Sequence, residues 1–370
     1  MKLLQMITSS IYQIAALIFF IAFLLGALNI HFSDRTNYCE MTYMYEYPQF
    51  VVRLQLKCLC CFCDIVFIMS RFDGVPVLYL PGNSGSHMQA RSLASVALRK
   101  ALSRGHEFHF DYFTISFNEE LSGLYGGVLL RQTRFAAACV SKILSLYKTN
   151  KYTKSVPTSV ILIGHSMVRL LQTTSRFSCG STFFQLVGRE ASINKKKNTI
   201  LILNFRRNIK KISKRLLVYP STMNSTNITI ALAAPVAAPV INFDQEINDY
   251  YSLMEGEWAL LNGDPKVKET KTLISFGSGA RDLLMPAGLT AANDSDINAL
   301  TTSVPGVWLS SDHVSIVWCK QLVMAINRYL FAIVDPVTEQ IVPDKKVHVA
   351  LARQFFVVCI SLFFYLSLSG

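Results

Sequence analysis

The feature that most constrains the fold of this chain is an apolar run at residues 160–163, followed directly by Gly164-His165-Ser166-Met167. A short apolar run rich in β-branched residues predicts a buried strand. When such a strand ends in Gly-x-Ser and turns sharply into a helix, the turn raises the serine Oγ above the edge of the sheet, where it can act as a nucleophile. The pattern normally has a glycine two residues after the serine, and this chain has Val168 there.

The central region alternates between strand and helix patterns. Strands are predicted at residues 75–80, 108–117, 159–163 and 272–276, and helices at residues 89–103, 132–148 and 314–330. This alternation predicts a mostly parallel sheet flanked by helices. With the strand–turn–helix signal at Ser166, it favours an α/β fold of the α/β-hydrolase type over residues 72–345. Within this domain the pattern blurs at residues 172–215, which we interpret as an atypical basic insertion.

Two apolar segments lie outside this domain. Residues 11–30 carry no charge, and at about 1.5 Å per residue such a helix is long enough to cross a bilayer. Residues 1–30 are therefore expected to be a signal anchor and N-terminal transmembrane helix, with a cleaved signal peptide as the alternative. We expect residues 31–71 to be a lumenal connector with an atypical Cys-rich stretch. Residues 350–370 are expected to be a short second apolar segment, either a second membrane helix or the truncated start of one.

The positive charge of the chain is concentrated in one place. Nine Lys and Arg residues and no acid lie between Asn194 and Arg215, and they account for most of the formal net charge of +12. Such a segment could bind phosphate groups, but few aromatic side chains lie among the charges, which argues against stacking on nucleic-acid bases. A solvated insertion is the favoured interpretation, and no nucleic-acid partner is expected.

The cysteines do not indicate a metal centre. The chain has nine of them, and Cys58, Cys60, Cys61 and Cys63 fall within six residues. A zinc site needs two spaced pairs of ligands, and no second pair accompanies this cluster. Neither a metal nor a cofactor is expected.

A serine nucleophile needs a histidine to accept its proton and a carboxylate to orient that histidine. In hydrolases with this strand–turn–helix motif the chain order is Ser, then Asp or Glu, then His. Ser166, Asp282 and His313 satisfy this order, with Asp282 just after a predicted strand and His313 in a loop before a helix. Asp312 is a rival acid, and His348 is a weaker candidate for the base.

Backbone N–H groups must stabilise the negative charge that develops on the substrate oxygen. One is expected from Met167, the residue after the nucleophile. The other is expected from the glycine-containing loop after the first strand of the domain, at Asn83 or Ser84.

Three Asn-x-Ser/Thr acceptor sequences are present. They begin at Asn224, Asn227 and Asn293. If the domain is lumenal, these residues are possible N-glycosylation sites.

Several long segments of the chain resemble the GPI inositol-deacylase family. They are residues 41–44 with 46–48, residues 77–86 with 89, 91–92 and 97–100, residues 111–121 with 124–127, and residues 163–167 and 308–322. The resemblance implies a membrane enzyme of the endoplasmic reticulum with a lumenal catalytic domain. It implies hydrolysis of the acyl ester on the inositol of GPI-anchored proteins, which aids their export. By motif position, it implies Ser166 as nucleophile, His313 as base and Asp282 as acid, with GPI-anchored proteins or GPI glycolipid as substrate and membrane lipid as partner.

The chain also departs from the family pattern. The family continues Gly-His-Ser-Met with two glycines, whereas this chain continues with Val168-Arg169. A β-branched residue tolerates neither close packing nor positive φ at this position. The alternative function is therefore a catalytically impaired member that binds GPI-anchored proteins or glycolipid without turnover. The oligomeric state does not follow from the sequence.

Overall fold

The computed structural model describes residues 2–33, 39–42, 55–59, 62–65, 72–105, 108–166, 225–241, 244–263, 265, 269–293 and 295–357. The chain divides into two compact units, Met1–Glu40 and Met41–Gly370. The first contains helix α1 (Lys2–Ser33), which includes the predicted transmembrane segment at residues 11–30. Within the described part of the chain, no helix has both the length and the apolar character needed to cross a membrane.

The second unit is built on one sheet with the strand order β2-β1-β4-β3-β5-β6-β7-β8. Its strands are β1 (Gln55–Leu59), β2 (Phe62–Ile65), β3 (Val75–Leu80), β4 (Phe110–Ser116), β5 (Ile161–His165), β6 (Ile228–Leu232), β7 (Thr272–Gly277) and β8 (Ile297–Leu300). All neighbours pair in parallel except β1 and β2. The predicted mostly parallel sheet is confirmed. A small hairpin, β9 (Val334–Asp335) with β10 (Gln340–Ile341), is separate from it.

Helices cover the sheet and explain why β3, β5, β6 and β7 are buried along their whole length. They are α2 (Arg91–Arg104), α3 (Leu129–Thr149), α4 (Gln245–Asn262), α5 (Ala287–Thr290), α6 (Lys320–Ala332) and α7 (Lys345–Phe356). Helix α6 packs on α2 and α7, whereas α3 packs on α4. The buried Asn327 of α6 donates to the Leu93 carbonyl of α2 at 3.3 Å. Strands buried on both faces are typical of parallel sheets, because helical crossovers lie on each side.

The structure differs from the predicted elements in several places. The helix predicted at residues 314–330 begins only at Lys320, because Asp312 Oδ1 accepts the N–H groups of Val314 and Ser315 at 2.8 Å each and closes a short turn first. Helix α4 and edge strand β8 were not predicted from the sequence, nor were β1 and β2, which lie within the expected connector and join the sheet through β4. The apolar segment predicted at residues 350–370 begins within α7, and residues 358–370 lie outside the described part of the chain.

The topology brings distant parts of the sequence to one edge of the sheet. Parallel strands end at the same edge, so the residues that follow β3, β5 and β7 gather there. These residues include the glycine loop at 81–86, Ser166 and Asp282. Ligand and catalytic sites of open α/β sheets lie at this carboxyl edge.

Candidate active site

Ser166 follows the last residue of β5 in a conformation that few non-glycine residues adopt. Its φ is +57°, in the left-handed region that is sparsely populated for residues with a Cβ. The Ser166 N–H donates to the Leu232 carbonyl at 2.9 Å, which continues the pairing of β5 with β6. The strand therefore holds the backbone while the strained turn directs the side chain out of the sheet, as the sequence motif predicts.

Gly82 lies against this turn and has no room for a side chain. A Cβ at Gly82 would lie 2.6 Å from the His165 carbonyl oxygen and would overlap Ser166 Cβ. The glycine loop after β3 can therefore approach the serine with its backbone. Residue 82 must be glycine for the loop to lie this close to Ser166.

The structure brings the three predicted catalytic side chains together. The distance from His313 Nε2 to Ser166 Oγ is 3.0 Å, and the distance from His313 Nδ1 to Asp282 Oδ2 is also 3.0 Å. Each ring nitrogen of His313 thus faces a different group. This arrangement allows the histidine to accept the serine proton while the carboxylate orients the ring and stabilises its charged form.

The surroundings of Asp282 favour its ionised form. Its side chain has no solvent exposure, and its Oδ1 accepts the N–H groups of Leu284 at 3.0 Å and Met285 at 2.7 Å. Burial opposes ionisation, but the hydrogen bonds from His313 and the Met285 N–H outweigh it and lower the pKa of Asp282. One carboxylate oxygen therefore fixes the turn and leaves the other for His313.

The loops that carry Asp282 and His313 are joined by hydrogen bonds at Ser278. Its carbonyl accepts Thr301 Oγ1 at 2.7 Å and the Ser311 N–H at 2.9 Å. Gly279 has φ of +101°, and a Cβ there would lie 2.8 Å from Ser310 Oγ. The acid loop and the histidine loop are thus fixed against each other, which sets the distance between the two catalytic side chains.

His165 also belongs to the site, and sequence reasoning did not assign it a role. Its Nε2 donates to the His313 carbonyl at 2.7 Å, and the two ring centroids are 4.9 Å apart. Burial, followed by the proximity of His313, lowers the pKa of His165 to about 4. His165 is therefore a neutral positioning residue that holds the backbone of the histidine loop. The only sequence signal for it is its place as the middle residue of Gly-x-Ser.

Of the two predicted oxyanion donors in the glycine loop, one is already used. The Ser84 N–H donates to the Glu120 carbonyl at 3.1 Å, so it is already used. The Asn83 side chain accepts the Gly123 N–H at 2.8 Å, which fixes the loop, and within the described part of the chain the Asn83 N–H has no acceptor. Asn83 is therefore the better of the two candidates, while Met167 and Val168 lie outside the described residues.

The rival acid and base have other roles. Asp312 closes the turn at residues 312–315, as described above. His348 is fully buried, and its Nε2 donates to the Val342 carbonyl at 2.6 Å. Both have structural contacts, which leaves Asp282 and His313 as the candidates for acid and base.

The candidate glycosylation sites differ in accessibility. Asn293 is exposed, whereas Asn227 is half-buried at the start of β6. Asn224 lies outside the described residues.

The match to a family model places the chain among known proteins. The model for the PGAP1-like alpha/beta domain matches residues 71–172 and 211–333, more than half of the chain. The chain belongs to the PGAP1-like family. The matched ranges include Ser166, Asp282 and His313. The unmatched stretch between them lies inside residues 172–215, whose status as an insertion stays a prediction.

Curated relatives of this PGAP1-like chain share one name. The chain is 34% identical over 355 residues to the GPI inositol-deacylase of Xenopus laevis, covering 90% of this chain and 33% of that protein. It is 32% identical to the GPI inositol-deacylase of Rattus norvegicus, with 90% and 33% coverage. For the Drosophila melanogaster GPI inositol-deacylase the identity is 31%, with 84% and 31% coverage. The chain thus spans about a third of the length of these relatives.

Proposed function

We propose that this chain is the catalytic α/β-hydrolase part of a GPI inositol-deacylase, a serine esterase that hydrolyses the acyl ester on the inositol of GPI-anchored proteins. The observation that carries the proposal is the pair of 3.0 Å contacts that His313 makes with Ser166 and Asp282. The names of the relatives support the substrate class.

The geometry supports a two-step reaction. His313 Nε2 accepts the Ser166 proton as Oγ attacks the ester carbonyl, and the negative charge on the carbonyl oxygen is stabilised by backbone N–H groups, with Asn83 and Met167 as donors. When the tetrahedral intermediate collapses, the C–O bond to inositol breaks and His313 returns the proton to the inositol oxygen. Water, activated by the same histidine, then attacks the acyl-enzyme, releases the fatty acid and restores Ser166.

The surroundings of the catalytic side chains suit a substrate with a hydrocarbon chain. Leu283 and Leu284, directly after Asp282, have relative exposures of 92% and 64%, and Val314, directly after His313, has 52%. Exposed apolar side chains next to a reactive centre favour contact with an acyl chain or a lipid surface over contact with a fully polar substrate.

We also propose that the domain acts in the lumen of the endoplasmic reticulum, at its membrane. Cys39 and Cys319 are both disulfide-bonded, and disulfides persist in oxidising compartments rather than in the cytosol. The exposed Asn293 side chain is compatible with this location. Treatment of the protein from a eukaryotic host with an N-glycosidase should shift its mass, and Asn293→Gln should remove part or all of that shift. An unchanged mass after treatment would count against a lumenal domain.

A fluorophosphonate probe tests the esterase proposal, because it reacts with a serine only when a base activates it. Wild-type chain should be labelled, and Ser166→Ala should not. Ser84→Ala is the matched control, since it removes an exposed hydroxyl of the glycine loop and should keep full labelling. Labelling that survives in Ser166→Ala would contradict the assignment of the nucleophile.

The substrate is tested with purified acylated inositol glycolipid. Hydrolysis in H₂¹⁸O should release a fatty acid that contains one ¹⁸O atom, and a glycerol ester of the same acyl chain should react more slowly. Folded protein that binds the glycolipid but neither reacts with the probe nor releases fatty acid would favour the alternative, a binding protein impaired by Val168 after the nucleophile.

A further inference from the structure

A cluster of potential metal ligands lies at the amino ends of the parallel strands. Ser166 lies at the other side of the sheet, at the carboxyl ends. Asp73 precedes β3, His109 directly precedes β4, and Asp111 is the second residue of β4. Parallel pairing of Val75 with Phe110 brings these three side chains together. One imidazole nitrogen and two carboxylate oxygens all lie within 4.8 Å of one another.

The spacing within this cluster fits a shared metal ion. His109 Nε2 is 3.4 Å from Asp73 Oδ1 and 3.4 Å from Asp111 Oδ1. Nitrogen and oxygen ligands bound at about 2.1 Å to one tetrahedral ion are about 3.4 Å from each other. Both measured distances therefore match the edge of a coordination tetrahedron.

Neighbouring groups orient the ligands. Asp111 Oδ2 accepts the Gly74 N–H at 3.0 Å and the Tyr147 hydroxyl at 2.7 Å, which turns Oδ1 towards His109. Such outer contacts hold metal-binding carboxylates in position. A Cβ at Gly74 would lie 2.7 Å from the His109 carbonyl oxygen and 2.9 Å from its ring carbon Cδ2. Only glycine therefore lets the imidazole pack against this backbone.

Charge and donor chemistry define the ion. Two carboxylates face one nitrogen, so a neutral His109 leaves two negative charges that a divalent cation balances. Calcium and magnesium prefer all-oxygen sites, whereas imidazole with carboxylate suits zinc or manganese. We propose that Asp73, His109 and Asp111 bind a divalent transition-metal ion of the Zn²⁺ or Mn²⁺ type, which joins the amino ends of β3 and β4. The His109 side chain is 36% exposed, so water can complete the coordination.

The test uses the full chain without a histidine tag, stripped with EDTA and dialysed. Addition of Zn²⁺ or Mn²⁺ should give one bound ion per chain by equilibrium dialysis. It should also raise Tm by roughly 3–10 °C at a 100-fold excess over Kd. Co²⁺ should give visible d–d absorption typical of nitrogen and oxygen ligands. Ca²⁺ and Mg²⁺ should have little effect.

Variants locate the ion. Asp73→Asn and His109→Gln should each lose the metal-dependent rise in Tm, and Asp249→Asn, an exposed carboxylate on α4, should keep it. Asp111 is left unchanged, because it also bonds Gly74 and Tyr147. Wild-type chain that binds no Zn²⁺ or Mn²⁺ at 1:1 stoichiometry would overturn the proposal whether or not the variants fold. An equal rise in Tm in Asp73→Asn and wild type, or a response to Ca²⁺ alone, would overturn it too.

Discussion

The two edges of the central sheet each bring a histidine together with aspartate, and the two arrangements differ in how the ring nitrogens are used. At the carboxyl edge His313 faces Asp282 with Nδ1 and Ser166 with Nε2, both at 3.0 Å. At the amino edge Asp73 and Asp111 both approach Nε2 of His109, at 3.4 Å. Groups on opposite nitrogens allow a proton to be passed, whereas two carboxylates on one nitrogen concentrate negative charge. The proposed proton transfer at one edge and the proposed cation site at the other therefore use the same residue types in different arrangements.

The largest effect is expected from Asp282→Asn, which changes kcat through the site at the carboxyl edge. Asparagine keeps an oxygen for the Leu284 and Met285 N–H groups, but its amide presents a donor to His313 Nδ1 and favours the wrong tautomer. In serine proteases the equivalent change lowers kcat about 10⁴-fold, and we expect a similar loss here. Hydrolysis of a p-nitrophenyl ester measures kcat, and the urea midpoint reports stability.

Asp312→Asn is the control for this change. It alters a neighbouring carboxylate that only closes a turn, with Oδ1 at 2.8 Å from the Val314 N–H. Its kcat should stay within a few-fold of wild type. If Asp312→Asn lost as much activity as Asp282→Asn, the assignment of the acid would be wrong.

Sequence patterns predicted those parts of the site that follow from local chemistry and chain order. The apolar run at residues 75–80 is β3 as predicted, and Ser166, Asp282 and His313 meet in the chain order that the motif predicts. Strand β5, which precedes Ser166, was predicted from the apolar run at residues 160–163. Local patterns are thus sufficient where one strand and its following turn determine a position.

Features that depend on contacts between distant segments could not be predicted. The Ser84 N–H is used by Glu120, which no pattern near residue 84 reveals. The role of His165 depends on the His313 carbonyl, 148 residues away in the chain. The cluster at Asp73 and His109 depends on the register of β3 against β4. In each case the decisive partner is set by tertiary packing, so a single sequence carries no periodic signal for it.

A smaller effect is expected from His165. It lies beside His313 but stays neutral near pH 7. Its pKa is lowered to about 4, whereas an unfolded histidine titrates near pH 6.5. Between these values the unfolded chain binds a proton that the folded chain does not, so stability falls as the pH falls. The loss between pH 7 and 4.5 should be about 2–3 kcal/mol.

Urea unfolding at pH 7 and at pH 4.5 measures this loss of stability. His165→Gln keeps a donor for the His313 carbonyl and should lose about that much less stability on acidification than wild type. His348 and the carboxylates titrate in both proteins, so the difference between the two isolates His165. His87→Gln, a partly exposed histidine near the same edge, should behave as wild type. Equal acid sensitivity in wild type and His165→Gln would mean that His165 is charged in the folded protein.

The smallest effect concerns an ion pair between the loop that leads into β5 and the turn between β9 and β10. Lys154 Nζ lies 2.8 Å from Glu339 Oε1, but the lysine side chain is 63% exposed. Exposed pairs contribute about 0–1 kcal/mol, because water and salt screen them. Lys154→Met should lower the free energy of unfolding by about 0.5 kcal/mol at low salt and by less at 0.5 M NaCl, with kcat unchanged. A loss above 2 kcal/mol, or one that persists in high salt, would contradict this expectation. It would show that a short distance alone determines the strength of an ion pair in this fold, without the burial that Asp282 has.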